Sequence, residues 1–286
     1  MTPRTVHVVD GTFELFRCFH GAPRATDEEG REIGAARGLA WTLGKLLRTQ
    51  DVEAVVVAFD AMARPRRADG SADAALRSQG ALAVEVARAL GLPTWTAARG
   101  QADDVMASAA AAWRDRARIV LCTADKDLHQ CVREDRVVVL DRIRDRVTDE
   151  DEVRRRYGVA PPQLPDLVGL IGDPSDGLPG IPGWGPKSGA AVIAAHGRLE
   201  DVPDDPAAWG ARVRGADRLA ASLRELRRDA LVVRDLATLR SDLPIRVDPA
   251  DVAWRGPTPA LPALLRRLGA EELLEKLPPT PRSGCP

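Results

Sequence analysis

The chain has 286 residues, 44% of them hydrophobic, with 41 Lys+Arg against 42 Asp+Glu and four cysteines. That length and apolar content suffice for one large domain or two modest ones, each with its own core. No apolar run reaches bilayer length, no signal-peptide core follows Met1, and no CxxC pair occurs, which excludes a spanning segment, a zinc knuckle and a disulfide framework; a soluble, cytoplasmic protein without a membrane partner is expected.

Taken in chain order, Val6–Val9, Val55–Phe59, Ile119–Cys122 and Val137–Leu140 read as short buried strands rich in Val, Ile and Leu. Between them, Ala35–Arg48, Ala81–Leu90 and Asp103–Trp113 read as helices. This alternation predicts an α/β fold with a mostly parallel central sheet and flanking helices. The first strand runs into Asp10, the second into Asp60, and the third into Thr123-Ala-Asp-Lys-Asp127. Ligands in open α/β sheets bind beyond the carboxyl ends of the strands, which is where these carboxylates fall. After Tyr157 the pattern changes. Pro161, Pro162 and Pro165 interrupt it, and Leu164–Ile171, Lys187–His196, Ala216–Leu236 and Thr258–Leu268 read as helices of a smaller second domain. The expected division is 1–158, then 159–277, with a Pro-rich frayed tail over 278–286.

Eight aspartates stand out: Asp10, Asp60, Asp103, Asp104, Asp125, Asp127, Asp173 and Asp176. Each has an ordinary structural explanation. Asp103 and Asp104 open a helix, where the dipole and capping favour acids. Asp173 and Asp176 suit the turn Gly172-Asp-Pro-Ser-Asp-Gly177, and Asp10 before Gly11 suits a strand end. Together they make a self-repelling edge unless cations neutralise it. Hard oxygen ligands without a His or Cys cluster point to Mg²⁺ or Mn²⁺, as in phosphoryl-transfer sites that use two ions. Sugar-nucleotide enzymes and phosphatases fit this much of the pattern too. The near-zero net charge taken alone argues weakly against nucleic-acid binding, but the charges are unevenly placed and one basic face can surround an acidic pocket; Arg64-Pro-Arg-Arg67 and Arg154-Arg-Arg156 are candidate patches.

Five motifs narrow the choice. They are Val8-Val-Asp-Gly-Thr-Phe-Glu-Leu-Phe-Arg-Cys-Phe-His20, Val57-Ala-Phe-Asp60, Gln101-Ala-Asp-Asp104, Thr123-Ala-Asp-Lys-Asp127 and the run from Leu170 to Ser188. In this order, over residues 5–275, they resemble the bacterial 5′→3′ exonuclease and flap endonuclease family. The resemblance implies a PIN-like nuclease domain followed by a helical, helix–three-turn–helix DNA-binding domain. It implies that Asp60, Asp103, Asp104, Asp125 and Asp127 hold one metal region and that Asp10, Asp173 and Asp176 help hold a second. Arg17, Asp103 and Asp125 take the catalytic roles, with Arg17 on the scissile phosphate. The bland reading of Arg17 is a helix-surface ion pair. In Gly180-Ile-Pro-Gly-Trp-Gly-Pro-Lys187, the close-set glycines Gly180, Gly183 and Gly185 let backbone N–H groups approach a phosphate, with Lys187 and Ser188 at the start of the next helix. Such contacts read backbone rather than base. The implied partner is DNA, double-stranded or with 5′ single-stranded ends, without base-sequence preference.

Two departures from the family pattern carry consequences. Gln101 stands where the family has glutamate, and it offers an oxygen but no charge. The stretch Ala61–Gly80 is short for the family's basic arch and holds no tyrosine or lysine, only Arg64, Arg66, Arg67 and Arg77. A more open route over the metals is expected. Two other readings stand beside a structure-selective 5′ nuclease: a weakened or silent member that binds branched DNA, and a metal-dependent ribonuclease on a related sheet, which the helix–three-turn–helix element disfavours.

Overall fold

The computed structural model describes residues 5–49, 52–61, 70–96 and 101–280, with the backbone only for 70–75 and 77. Arg64, Arg66 and Arg67, the Arg77 side chain and residues 281–286 of the tail therefore lie outside the described part. The chain forms two compact units, one of residues 1–123 with 241–286 and one of residues 124–240.

In the first unit, β1 (Thr5–Asp10), β2 (Ala54–Phe59), β3 (Thr94–Thr96) and β4 (Arg118–Cys122) make a parallel array ordered β3-β2-β1-β4. Val8 stands opposite Val56 on one side and Leu121 on the other. All six residues of β2, Ala-Val-Val-Val-Ala-Phe, are buried, as an inner parallel strand covered on both faces requires. The helices are α1 (Gly11–Gly21), α2 (Gly34–Leu47), α3 (Gly70–Ala89) and α4 (Ala102–Trp113). The small side chains of the Ala-rich α4 let it lie against β1, β2 and β4, while α1, α2 and α3 pack on one another. At the start of α1, a Cβ on Gly11 would stand 2.6 Å from the Phe59 ring, so glycine there lets the helix begin directly over β2.

Residues 241–280 return to this unit. The Trp254 backbone N–H donates to the Glu53 carbonyl (3.1 Å) and its indole Nε1–H to the Leu90 carbonyl (2.8 Å), while Trp113 Nε1–H donates to the Val247 carbonyl (3.1 Å). Two further helices, α9 (Leu261–Leu268) and α10 (Glu272–Lys276), follow. Leu261, Leu264, Leu265 and Leu268 recur at helical spacing and are all buried.

The second unit begins with Ala124-Asp-Lys-Asp127 and a 3₁₀ turn, Lys126–Cys131. An antiparallel hairpin, β5 (Val137–Asp141) with β6 (Arg146–Thr148), follows, its turn closed by the Asp141 carboxylate and by Asp145 at φ 49°. The rest is helical: α5 (Glu150–Tyr157), α6 (Leu164–Ile171), α7 (Pro186–His196) and α8 (Ala216–Ala237). Asp149 caps α5 by accepting from Glu152 N–H at 2.9 Å, and Gly158 at φ 75° ends it. Trp209, Leu170, Val192, Ile193 and Leu223 form the core of this unit. Among the described residues no helix is long and apolar enough to cross a membrane.

Candidate metal centre

In the first unit, the strand-end aspartates hold the helices that start beside them. Asp10 is buried, accepts from Phe13 N–H (2.8 Å) as the cap of α1, and accepts from the Thr123 hydroxyl (3.3 Å) with its other oxygen. Asp60 accepts from Ala102 N–H (2.7 Å) at the start of α4, and its own N–H donates to Thr12 Oγ1 (2.8 Å). Asp103 is buried and Asp104 half-buried in the first turn of α4, while Gln101 before them is exposed. Both strand-end aspartates thus accept an N–H group from the first turn of a helix, α1 for Asp10 and α4 for Asp60.

Arg17 lies on α1 and is engaged with Glu14 through Nε (3.0 Å) and Nη2, and with the Thr42 hydroxyl (3.1 Å). Burial works against its charge, but the Glu14 carboxylate outweighs that and raises its pKa. Glu14 itself is only 2% exposed and escaped the sequence reading. Its signal was available: an acid three residues before an arginine, on the apolar side of a helix.

In the second unit the structure brings three of the predicted ligands together. Carboxylate oxygens of Asp127, Asp173 and Asp176 lie within 4.8 Å of one another. Asp125 caps the 3₁₀ turn by accepting from Asp127 N–H at 2.9 Å, which keeps its carboxylate beside this group. Asp173 accepts from the Ser175 hydroxyl (2.6 Å) and backbone N–H (3.1 Å), so the turn that the Pro-Ser-Asp-Gly sequence dictates also fixes this carboxylate. Burial, followed by the charges of Asp125 and Asp176, pushes the Asp127 pKa up to about 7. Asp173 behaves oppositely. Burial would raise its pKa, but Lys126 and Ser175 hold it below the ordinary value. Lys126 forms an ion pair with Asp173 and lies 3.5 Å from Asp176. Three convergent hard oxygens, one on an acid whose ionisation its neighbours oppose, fit a divalent cation.

The glycine-rich element stands at the head of α7 in the same unit. Ile181 and Trp184 are buried, with Trp184 Nε1–H donating to the Leu219 carbonyl (3.2 Å). Pro182, Gly183, Pro186 and Lys187 are exposed between and after these anchors. A Cβ on Gly180 would stand 2.3 Å from the Ile171 carbonyl group, so only glycine permits that approach. Gly185 precedes the helix, and Ser188 Oγ accepts its N–H at 3.0 Å. The Arg154–Arg156 patch is largely committed: Arg154 pairs with Glu150, Arg155 with Glu152, and Arg156 lies over the Tyr157 ring.

Comparison with known proteins gives two family matches that abut. Residues 5–158 match the 5′-3′ exonuclease N-terminal resolvase-like domain, and residues 159–260 match the 5′-3′ exonuclease C-terminal SAM fold. The 5′-3′ exonuclease of Aquifex aeolicus is 29% identical over 70% of this chain and 72% of its own length. Thermostable DNA polymerase I of Thermus aquaticus is 35% identical over 85% of this chain and 29% of its own. DNA polymerase I of Bacillus caldotenax is 29% identical over 94% and 32%. The chain thus spans about a third of the length of the DNA polymerase I relatives it matches. Among solved structures, T5 5′-exonuclease with bound zinc ions superposes with a TM-score of 0.65 at 18% identity, covering 96% of this chain and 97% of that one. The catalytic core of Rad2 in complex with DNA substrate gives 0.60 at 19%, covering 96% and 92%. At these identities the structural likeness speaks for the fold.

Proposed function

Because this chain belongs to the 5′-3′ exonuclease family, we propose that it hydrolyses DNA phosphodiester bonds as a structure-selective 5′→3′ exonuclease and flap-type endonuclease. The observation that carries this reading is the convergence of Asp127, Asp173 and Asp176 within 4.8 Å, in a chain matched to the family over residues 5–260. Residues 1–158 take the catalytic part and residues 159–277 the DNA-binding part. Divalent ions, two Mg²⁺ or Mn²⁺, supply Lewis-acid activation of water and charge neutralisation at the phosphate when bound.

The residues of the chain divide the remaining work. Asp10, Asp60, Asp103, Asp104, Asp125, Asp127, Asp173 and Asp176 furnish the hard oxygens. The capping bonds of Asp10, Asp60 and Asp125 hold those carboxylates in fixed orientations, so little reordering accompanies binding. Arg17 offers its guanidinium to the scissile phosphate, exchanging part of its Glu14 contact for a phosphate oxygen. The backbone N–H groups around Gly180, Gly183 and Gly185, with Lys187 and Ser188 on the first turn of α7, grip the duplex backbone without reading bases. The partner is DNA, double-stranded or with 5′ single-stranded ends; the structurally similar T5 D15 flap endonuclease and the catalytic core of Rad2 are each solved in complex with DNA.

The test is direct. Labelled 5′-flap, gapped and blunt duplexes are incubated with the protein in Mg²⁺, Mn²⁺ or EDTA. Cleavage with either ion and none in EDTA is expected, and Asp173→Ala should lower the rate roughly a hundredfold or more while circular dichroism stays unchanged. A second reading, a weakened member that binds branched DNA, is favoured by exposed, uncharged Gln101 where the family has glutamate. Retained flap binding with no cleavage in either ion would select it.

A further inference from the structure

Lys126 stands between two proposed ligands in sequence, Asp125 and Asp127, yet its side chain turns to the other ligand loop. Its ammonium pairs with Asp173, donates to the Ser175 hydroxyl, and lies 3.5 Å from Asp176. Those contacts are what a bound cation makes: two carboxylates and a neutral oxygen around one positive centre. Its backbone is fixed by the 3₁₀ turn, where Asp125 caps the start and Gln130 Nε2–H donates to the Asp127 carbonyl at 2.9 Å. The four-carbon stem, by contrast, is free to swing, because its head is a compact point charge on rotatable bonds. The side chain is 35% exposed, so an exit to solvent is open.

We propose that Lys126 is a tethered cation that holds an ion position at the Asp173–Asp176 end of the cluster and that a divalent ion must displace it to bind there. The inference rests on the metal reading of the Asp127, Asp173 and Asp176 group. A divalent ion and an ammonium cannot share one carboxylate oxygen at contact distance, since their repulsion in a partly desolvated site is strong. Ion binding at this end therefore includes breaking the lysine contacts, which lowers the affinity of this position. In return, the ion-free protein does not confront unscreened Asp173 and Asp176.

The experiment titrates the full-length chain with Mn²⁺ and counts bound ion by electron paramagnetic resonance, for wild type, Lys126→Met, Lys126→Arg and Asp173→Ala. Removing the competitor should tighten one Mn²⁺ site about tenfold in Lys126→Met, since a hydrogen-bonded charge pair is lost from the ion-free state. Lys126→Arg, which keeps the cation, should return affinity toward wild type. Lys126→Met should also melt several degrees lower than wild type without metal, and the two should converge at saturating Mn²⁺. Unchanged or weaker Mn²⁺ binding in a folded Lys126→Met protein overturns the proposal. If wild type binds no more Mn²⁺ than Asp173→Ala, the metal reading itself fails, and the two failures are thereby distinguished.

Discussion

His129, two residues after Asp127, is buried, its Nδ1 2.9 Å from the Tyr157 hydroxyl. Burial, then the positive charges of Arg156 and Arg146, hold its pKa down at about 4 against the ordinary 6.5. Between those values the unfolded chain binds a proton that the folded one refuses, so this residue makes stability fall as pH drops from about 6.5 toward 4. An NMR titration should find the His129 imidazole still neutral at pH 5; a midpoint near 6.5 would refute the burial argument. At this scale the sequence was legible where chemistry coincides with position. Asp10 and Asp60 close Val-rich runs, so their place at strand ends follows from burial alone. Lys126 was not legible, because a lysine flanked by aspartates reads as a solvated turn. Its turn toward Asp173 comes from a loop almost fifty residues away in sequence, 47 positions on.

Elements were legible in proportion to their reliance on a repeating apolar pattern. The inner strands and α4 followed the expected bounds to within a residue or two, because burial on both faces leaves continuous Val, Ile and Ala runs. Residues 11–21 carry no such pattern. Gly-Thr-Phe-Glu-Leu-Phe-Arg-Cys-Phe-His-Gly is poor in strong helix formers, and α1 owes its existence to the Asp10 cap and the burial of Leu15 and Cys18. β3 and β6, three residues each, are too short to show alternation, and α5 buries only Val153. One long-range capping contact is testable. Buried Gln79 of α3 accepts from Ala35 N–H (2.9 Å) and Ala36 N–H (3.1 Å), satisfying two N-terminal donors of α2 that have no side-chain cap of their own. Gln79→Leu should cost about 1–3 kcal/mol in denaturant unfolding, because buried donors lose their acceptor. An unchanged midpoint would show that the donors find another partner. For α7, Lys187→Ala should weaken duplex binding alike for all sequences and reduce the slope of log affinity against log salt by about one. A loss that depended on sequence would contradict a backbone grip.

At the scale of the whole molecule, the alternation of strand and helix followed by helices alone was enough to read the fold class. The closing of the first unit by residues 241–280 was not, because nothing in Trp254 or the α9 leucines says which core they enter. Four buried leucines on α9, each worth roughly 1.5–3 kcal/mol, exceed half of a typical domain's stability. A chain truncated after Arg240 should therefore lose the cooperative melting of the first unit, while the second, residues 124–240, keeps its own transition. Retention of both transitions would mean that the returning segment is merely draped on a finished core. The same discontinuity orders events on the ribosome. The second unit is complete once Arg240 has emerged, yet the first still waits for Trp254 and for α9 through Leu268. At about 5–20 residues per second, those 28 further residues (268 − 240) keep the α2 and α3 surfaces that α9 covers open for roughly one to six seconds. During that interval the nascent chain carries a finished helical unit and an unfinished sheet, a client that a chaperone would meet at the tunnel exit.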